Sequence, residues 1–299
     1  MLKKVRTPIK RSLDLTYRRL REKGIDLYRS GMRKHFGFLL RHFFARFFRY
    51  ARVDEEQLEE IRKAASKGTI VYVMHHRSLL DYLFFNNLLL RNNLPLAEYS
   101  NEINMLPFLS WKEALRTIGA KIAYFLRRGW LPNPVESGWL RDQVADGTTA
   151  LLFLHRRATF FEWARRRPPQ AGITEQLIQA QRKSSKPVYL VPLVLLWRKQ
   201  ADKHKKTLLD ILFGEAESPG QLRKLVGFIR NYKRAVARIG DPLDLSSFLE
   251  TRPETEPLRI TAKRVRWACL HYLYRERRVV TGARLMPAEK VKKRIKKNW

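Results

Sequence analysis

The sequence predicts an α/β fold: a largely parallel central sheet flanked by helices, preceded by an N-terminal helical region. Three observations carry this. Apolar, β-branched runs recur along the chain, as in Ile70-Val71-Tyr72-Val73-Met74. Each run gives way to a stretch with helical spacing, here Leu83, Phe84, Phe85, Leu88 and Leu89. The 299 residues are 44% hydrophobic and 11% aromatic, enough to bury a core.

In order, residues 1–34 are basic and helix-compatible. Residues 34–50 interleave Phe36, Phe43, Phe44, Phe47 and Phe48 with Arg41, Arg46 and Arg49. They read either as an interfacial membrane helix with an exposed aromatic face or as a core-packing helix with a basic outer side. An acidic, solvated helix follows over 54–67, with Asp54 as N-cap and Lys67-Gly68 as its stop. Strands are predicted at 69–74, 94–99, 118–123, 149–154 and 187–196, with helices at 82–91, 106–115, 136–146 and 174–183 between them. Further basic amphipathic helices are predicted over 220–232 and 257–275, and Lys290 to Trp299 forms a basic tail. The chain is accordingly divided into a basic helical region (1–66), a main domain (67–250) and a C-terminal helix with tail (251–299).

Charge narrows the partners. Sixty-one Lys and Arg against 28 Asp and Glu give +33, a field that attracts polyanions: nucleic acid, an anionic membrane face or a phosphorylated substrate. A lone Cys269 excludes a disulfide framework and a multi-cysteine zinc site and points to a reducing compartment. No GxxxxGK loop, strand-borne GxGxxG or HExxH occurs, so nucleotide hydrolysis and zinc chemistry have no support, and no metal or cofactor is expected. Zinc-finger, RNP and bZIP patterns are also missing, so nucleic acid is the weaker partner. No apolar run reaches the roughly 20 residues of a spanning helix, so membrane contact is expected to be peripheral.

The candidate chemistry begins where the first strand ends, in His75-His76-Arg77-Ser78-Leu79-Leu80-Asp81. An imidazole can take a proton near neutral pH, and a carboxylate bonded to its other nitrogen fixes the tautomer; His76 and Asp81 are the pair proposed. The plainer reading is a solvated turn whose Asp81 helps the next helix start. Arg127-Arg128 and His155-Arg156-Arg157 are likewise expected to follow the carboxyl ends of strands, where ligands gather in such folds. Paired guanidinium forks suit a phosphate, although Arg127-Arg128 also fits a merely basic surface.

These segments resemble the ordered motifs of the glycerolipid acyltransferases. His76-Arg77-Ser78-Leu79-Leu80-Asp81-Tyr82 is similar to the His-x4-Asp motif in the form found in the bacterial glycerol-3-phosphate acyltransferase branch. Tyr124-Phe125-Leu126-Arg127-Arg128 looks like that branch's second motif, FFIRR, and Asn104 falls where the family has an Asn between the two. Val191-Pro192 resembles the fourth motif, and Gly240-Asp241-Pro242-Leu243 the late G-x-P-L turn. The third motif departs: Phe153-Leu154 leads into His155-Arg156-Arg157, not Glu-Gly-x-Arg-Ser.

The resemblance, over roughly 66–250, implies an acyltransferase domain at 67–250. It implies an O-acyltransferase of phospholipid biosynthesis, moving a fatty acyl group from acyl-coenzyme A or acyl carrier protein to a hydroxyl of glycerol 3-phosphate or a related precursor. His76 would be the general base and Asp81 its orienting partner. Arg127 and Arg128 would hold the phosphate, assisted by Arg77, Asn104, Arg156 and Arg157. The expected location is peripheral, on the cytoplasmic face of an anionic membrane. The alternative is a catalytically weak or inactive lipid-binding protein of the same fold, or, more distantly, a nucleic-acid binder.

Overall fold

A computed structural model describes Phe48 and residues 53–76, 78–101, 103, 111–128, 135, 138–155, 172–197, 235–253 and 255–281. Its elements are α1 (Glu55–Lys67), β1 (Thr69–His76), α2 (Leu79–Arg91), β2 (Tyr99–Ser100), α3 (Trp111–Arg128), α4 (Trp139–Ala145), β3 (Ala150–His155), α5 (Gly172–Lys183), β4 (Val188–Trp197), β5 (Ala235–Ile239), β6 (Leu243–Asp244), α6 (Leu245–Glu250) and α7 (Leu258–Thr281).

The strands form one six-stranded sheet in the order β2-β3-β1-β4-β5, with β6 also on β4. β2, β3, β1 and β4 are parallel, while β5 and β6 run antiparallel to β4. The expected α/β architecture is therefore observed. Side chains alternate across the sheet. Ile70, Tyr72 and Met74 of β1 pack with Leu58, Ile61 and the apolar face of α2, whereas Val71 and Val73 pack with Trp139, Leu177, Val265 and Cys269 on the other side. With helices on both faces, β1 reads as a continuous apolar run, which is why it was legible. Burial pushes the Cys269 thiol up to about 12, leaving it protonated and inert.

β4 carries Pro192 in a central strand, where a missing N–H normally costs a ladder bond. The cost is avoided because Pro192 lies between the two antiparallel segments: β6 pairs with Tyr189 and Leu190, and β5 with Leu193 to Trp197. Gly240 closes the gap, donating its N–H to the Pro192 carbonyl at 2.8 Å. A Cβ on Gly240 would meet the Pro192 ring at 3.2 Å. Two motif segments far apart in sequence are thus packed on each other.

Three expectations are corrected. Residues 118–123 are not a strand but the middle of α3, because Trp111, Leu115, Ile118, Ile122 and Phe125 keep a helical period across the whole segment. Residues 94–98 are not strand; only Tyr99 and Ser100 pair, with Ala150 and Leu151. The approach to them is held by side chains instead: the Tyr72 hydroxyl donates to Pro95 O, the Tyr82 hydroxyl to Ala97 O, and Ala97 N to Asn86 Oδ1. The helix over 55–67 is not solvated all round, since Leu58, Ile61 and Ala64 are buried. Asp54 caps it, its side chain accepting from Glu56 N.

Of the aromatic stretch at 34–50, Phe48 alone is described, and Phe48 itself is not on an exposed face. It is 2% exposed and meets Phe84 edge-on, centroids 5.1 Å apart. The rest of that stretch, the basic segment before it, the helix expected at 220–232 and the tail lie outside the described residues. Among the described residues, no helix is long and apolar enough to cross a membrane.

Candidate active site

Three imidazoles converge at the carboxyl ends of β1 and β3. His76 and His155 are register partners in the parallel ladder, and their ring centroids are 5.1 Å apart. His75 lies 3.8 Å from His76 and 5.6 Å from His155, centroid to centroid. By position His76 is even with Tyr72 and Met74, and His75 with Val71 and Val73, but the 3.8 Å between the two rings shows that this alternation does not separate them at the strand's end. On the α7 side, the Tyr274 hydroxyl and His75 Nε2 are 3.1 Å apart. Arg266 of α7 donates from Nη2 to Leu154 O at 2.9 Å, fixing the helix to the end of β3.

α2 begins directly after this cluster. Ser78 is its N-cap and accepts from Asp81 N through Oγ at 3.2 Å, which puts Asp81 in the first helical turn. A carboxylate there is favoured by the partial positive charge of the helix N-terminus. Asp81 thus satisfies the helix-start reading. Both side chains are half-buried. The Ser78 cap was not singled out in the sequence, although Ser-x-x-Asp before an apolar run is its signature.

The arginines fare differently. Arg127 and Arg128 end α3 and do not follow a strand, so the expectation that all three basic segments follow strand ends fails for this one. Their side chains, and Arg77, Asn104, Arg156 and Arg157 altogether, lie outside the described residues. Asn101 is a buried structural element. Its side chain accepts from Phe153 N at 2.7 Å and donates to Phe153 O at 3.1 Å, extending the β3 ladder two residues before His155. Among the described residues no group of three or more His, Cys, Asp or Glu is placed to hold a metal ion.

Comparison with known proteins gives the ancestry. Residues 123–282 match the family model described as the glycerol-3-phosphate acyltransferase PlsB N-terminal domain, a match that begins beyond His76 and Asp81. A glycerol-3-phosphate acyltransferase of Haemophilus influenzae is 28% identical over 212 residues, covering 67% of this chain and 25% of that protein. Its counterpart in Aeromonas hydrophila is 31% identical over 212 residues, 64% of this chain and 24% of that protein. In Pasteurella multocida the figures are 28% over 231 residues, 73% and 27%. The chain spans about a quarter of the length of the curated relatives it matches. With more than half of its residues inside the family match, the chain belongs to the glycerol-3-phosphate acyltransferase family of the bacterial, PlsB type.

Proposed function

We propose that this chain is an O-acyltransferase that moves a fatty acyl group from an acyl thioester to a hydroxyl of glycerol 3-phosphate or a closely related phosphorylated acceptor. Support comes from family membership and, in this molecule, from one juxtaposition: His76 ends β1, and Asp81 is in the first turn of α2, which begins three residues later. His76 removes the hydroxyl proton as the oxygen attacks the thioester carbon. Asp81 orients the ring and stabilises the imidazolium. The tetrahedral intermediate collapses with cleavage of the C–S bond, and the thiolate recovers the proton from His76. No acyl-enzyme forms, in keeping with a Cys269 that is buried and protonated.

Arg127 and Arg128 bind the acceptor's phosphate through guanidinium forks, with Arg77, Asn104, Arg156 and Arg157 as further binding groups. The donor, acyl-coenzyme A or acyl carrier protein, is anionic and is drawn by the net charge of +33. The reaction takes place at the surface of an anionic membrane, on its cytoplasmic face. A second reading, a lipid-binding member without catalysis, draws on the His155-Arg156-Arg157 sequence in place of the acidic third motif. Incubation of the purified chain with radiolabelled glycerol 3-phosphate and acyl-coenzyme A separates the two: lipid-extractable label supports transfer, and retention of acyl-coenzyme A without turnover supports the second.

A further inference from the structure

Surface helices of soluble domains turn their apolar stripe inward. α3 does the reverse. Trp111, Leu115, Ile118, Ile122, Phe125 and Leu126 are all exposed, Trp111 by 75% and Leu126 by 78%. At about 100° per residue they fall within a stripe roughly 100° wide running the length of the helix. The side held against the protein is small and polar: Thr117 is buried, and Ala114, Ala120 and Lys121 are half-buried. Lys112 and Arg116 are exposed on one flank of the stripe.

We propose that this face of α3 is the lipid-docking surface of the protein, lying in the headgroup region of an anionic bilayer with its six apolar side chains in the acyl boundary. Charge selects the occupant. A second copy of this chain carries the same +33, and the chain's own aromatic stretch at 35–50 carries Arg41, Arg46 and Arg49. Neither complements a stripe bordered by Lys112 and Arg116, whereas anionic headgroups do. An apolar stripe with a basic border is the pattern of a helix lying in the interface plane. The helix ends at Arg127-Arg128, so the same docking would bring those residues to the lipid surface. The inference deepens the acyl-transfer reading and draws on it only for the need to meet lipid.

The test is co-sedimentation of the full chain with vesicles of phosphatidylcholine alone and of phosphatidylcholine mixed with phosphatidylglycerol. The wild type is expected to partition onto the anionic vesicles and to leave them as salt rises. Leu115→Ser with Ile122→Ser is expected to weaken that partitioning by about tenfold or more without lowering the melting temperature. Lys112→Glu with Arg116→Glu, which removes no apolar contact, is expected to abolish the preference for anionic vesicles. Absence of wild-type binding, or binding unchanged in both variants, overturns the proposal. So does concentration-dependent self-association that the serine substitutions abolish, which would assign the face to a second copy. Acyl transfer in vesicle-free buffer is measured in parallel, so a failure of docking and a failure of the reaction are read separately.

Discussion

His76 and His155 face each other across the parallel β1–β3 ladder, ring centroids 5.1 Å apart. Parallel register alone brings two side chains separated by 79 positions to one mouth. The pair can be told apart functionally. If His76 moves the proton, His76→Ala lowers kcat by about 10²–10⁴-fold, whereas His155→Ala, which removes a wall of the mouth, lowers it by less than about tenfold. Steady-state kinetics on the two variants is the check, and the reverse order reassigns the base.

The arginines at the end of α3 are proposed to hold the acceptor's phosphate. Lys keeps the charge of Arg but loses the fork that binds two oxygens at once. Arg127→Lys or Arg128→Lys is therefore expected to raise KM for glycerol 3-phosphate by about tenfold, the cost of roughly one charge-assisted hydrogen bond. KM for the acyl thioester should stay within about twofold in the same assays.

Asn101 acts as one more rung of the sheet, and its loss leaves the buried amide and carbonyl of Phe153 without the partners now at 2.7 and 3.1 Å. Asn101→Ala is expected to destabilise the protein by about 2–4 kcal/mol. A urea titration reads this as a lower midpoint with an unchanged slope.

Asp142 links α4 to α5. Burial by itself would raise its pKa, but hydrogen bonds from Arg141 at 3.0 Å and Lys183 at 2.9 Å outweigh burial and hold the carboxyl below its ordinary value. A carboxyl depressed in the folded state contributes stability that is complete above its unfolded pKa of about 3.9 and is lost as the pH falls through that value toward the folded pKa. Unfolding free energy should therefore decline on acidification more steeply in the wild type than in Asp142→Asn. Urea titrations between about pH 6 and about pH 3 compare the two slopes.

Legibility in the sequence followed the range of the interactions. β1 and α2 were readable because a run of buried β-branched residues and a helical apolar period lie side by side in the chain. Ile118 to Ala123 resembles a strand because its six residues hold two isoleucines among Gly, Ala and one Lys; only the period from Trp111 to Leu126 reveals the helix. Ser78 is readable as a cap from Ser-x-x-Asp before an apolar run. Tyr274 was not readable at all, since it meets His75 across 199 residues and no local pattern marks it. The apolar face of α3 is a feature of the folded molecule, because sequence periodicity locates a stripe without saying which way it turns.

The central claim is that His76, oriented by Asp81, drives acyl transfer to a phosphorylated glycerol. Its most direct measurement is the rate of lipid formation from glycerol 3-phosphate and acyl-coenzyme A by the wild type, His76→Ala and Asp81→Asn, each shown by circular dichroism to melt at the same temperature. The account expects turnover by the wild type and loss of about 10²-fold or more in each variant. A folded wild type that forms no lipid product, or a His76→Ala protein that turns over at the wild-type rate, would contradict it.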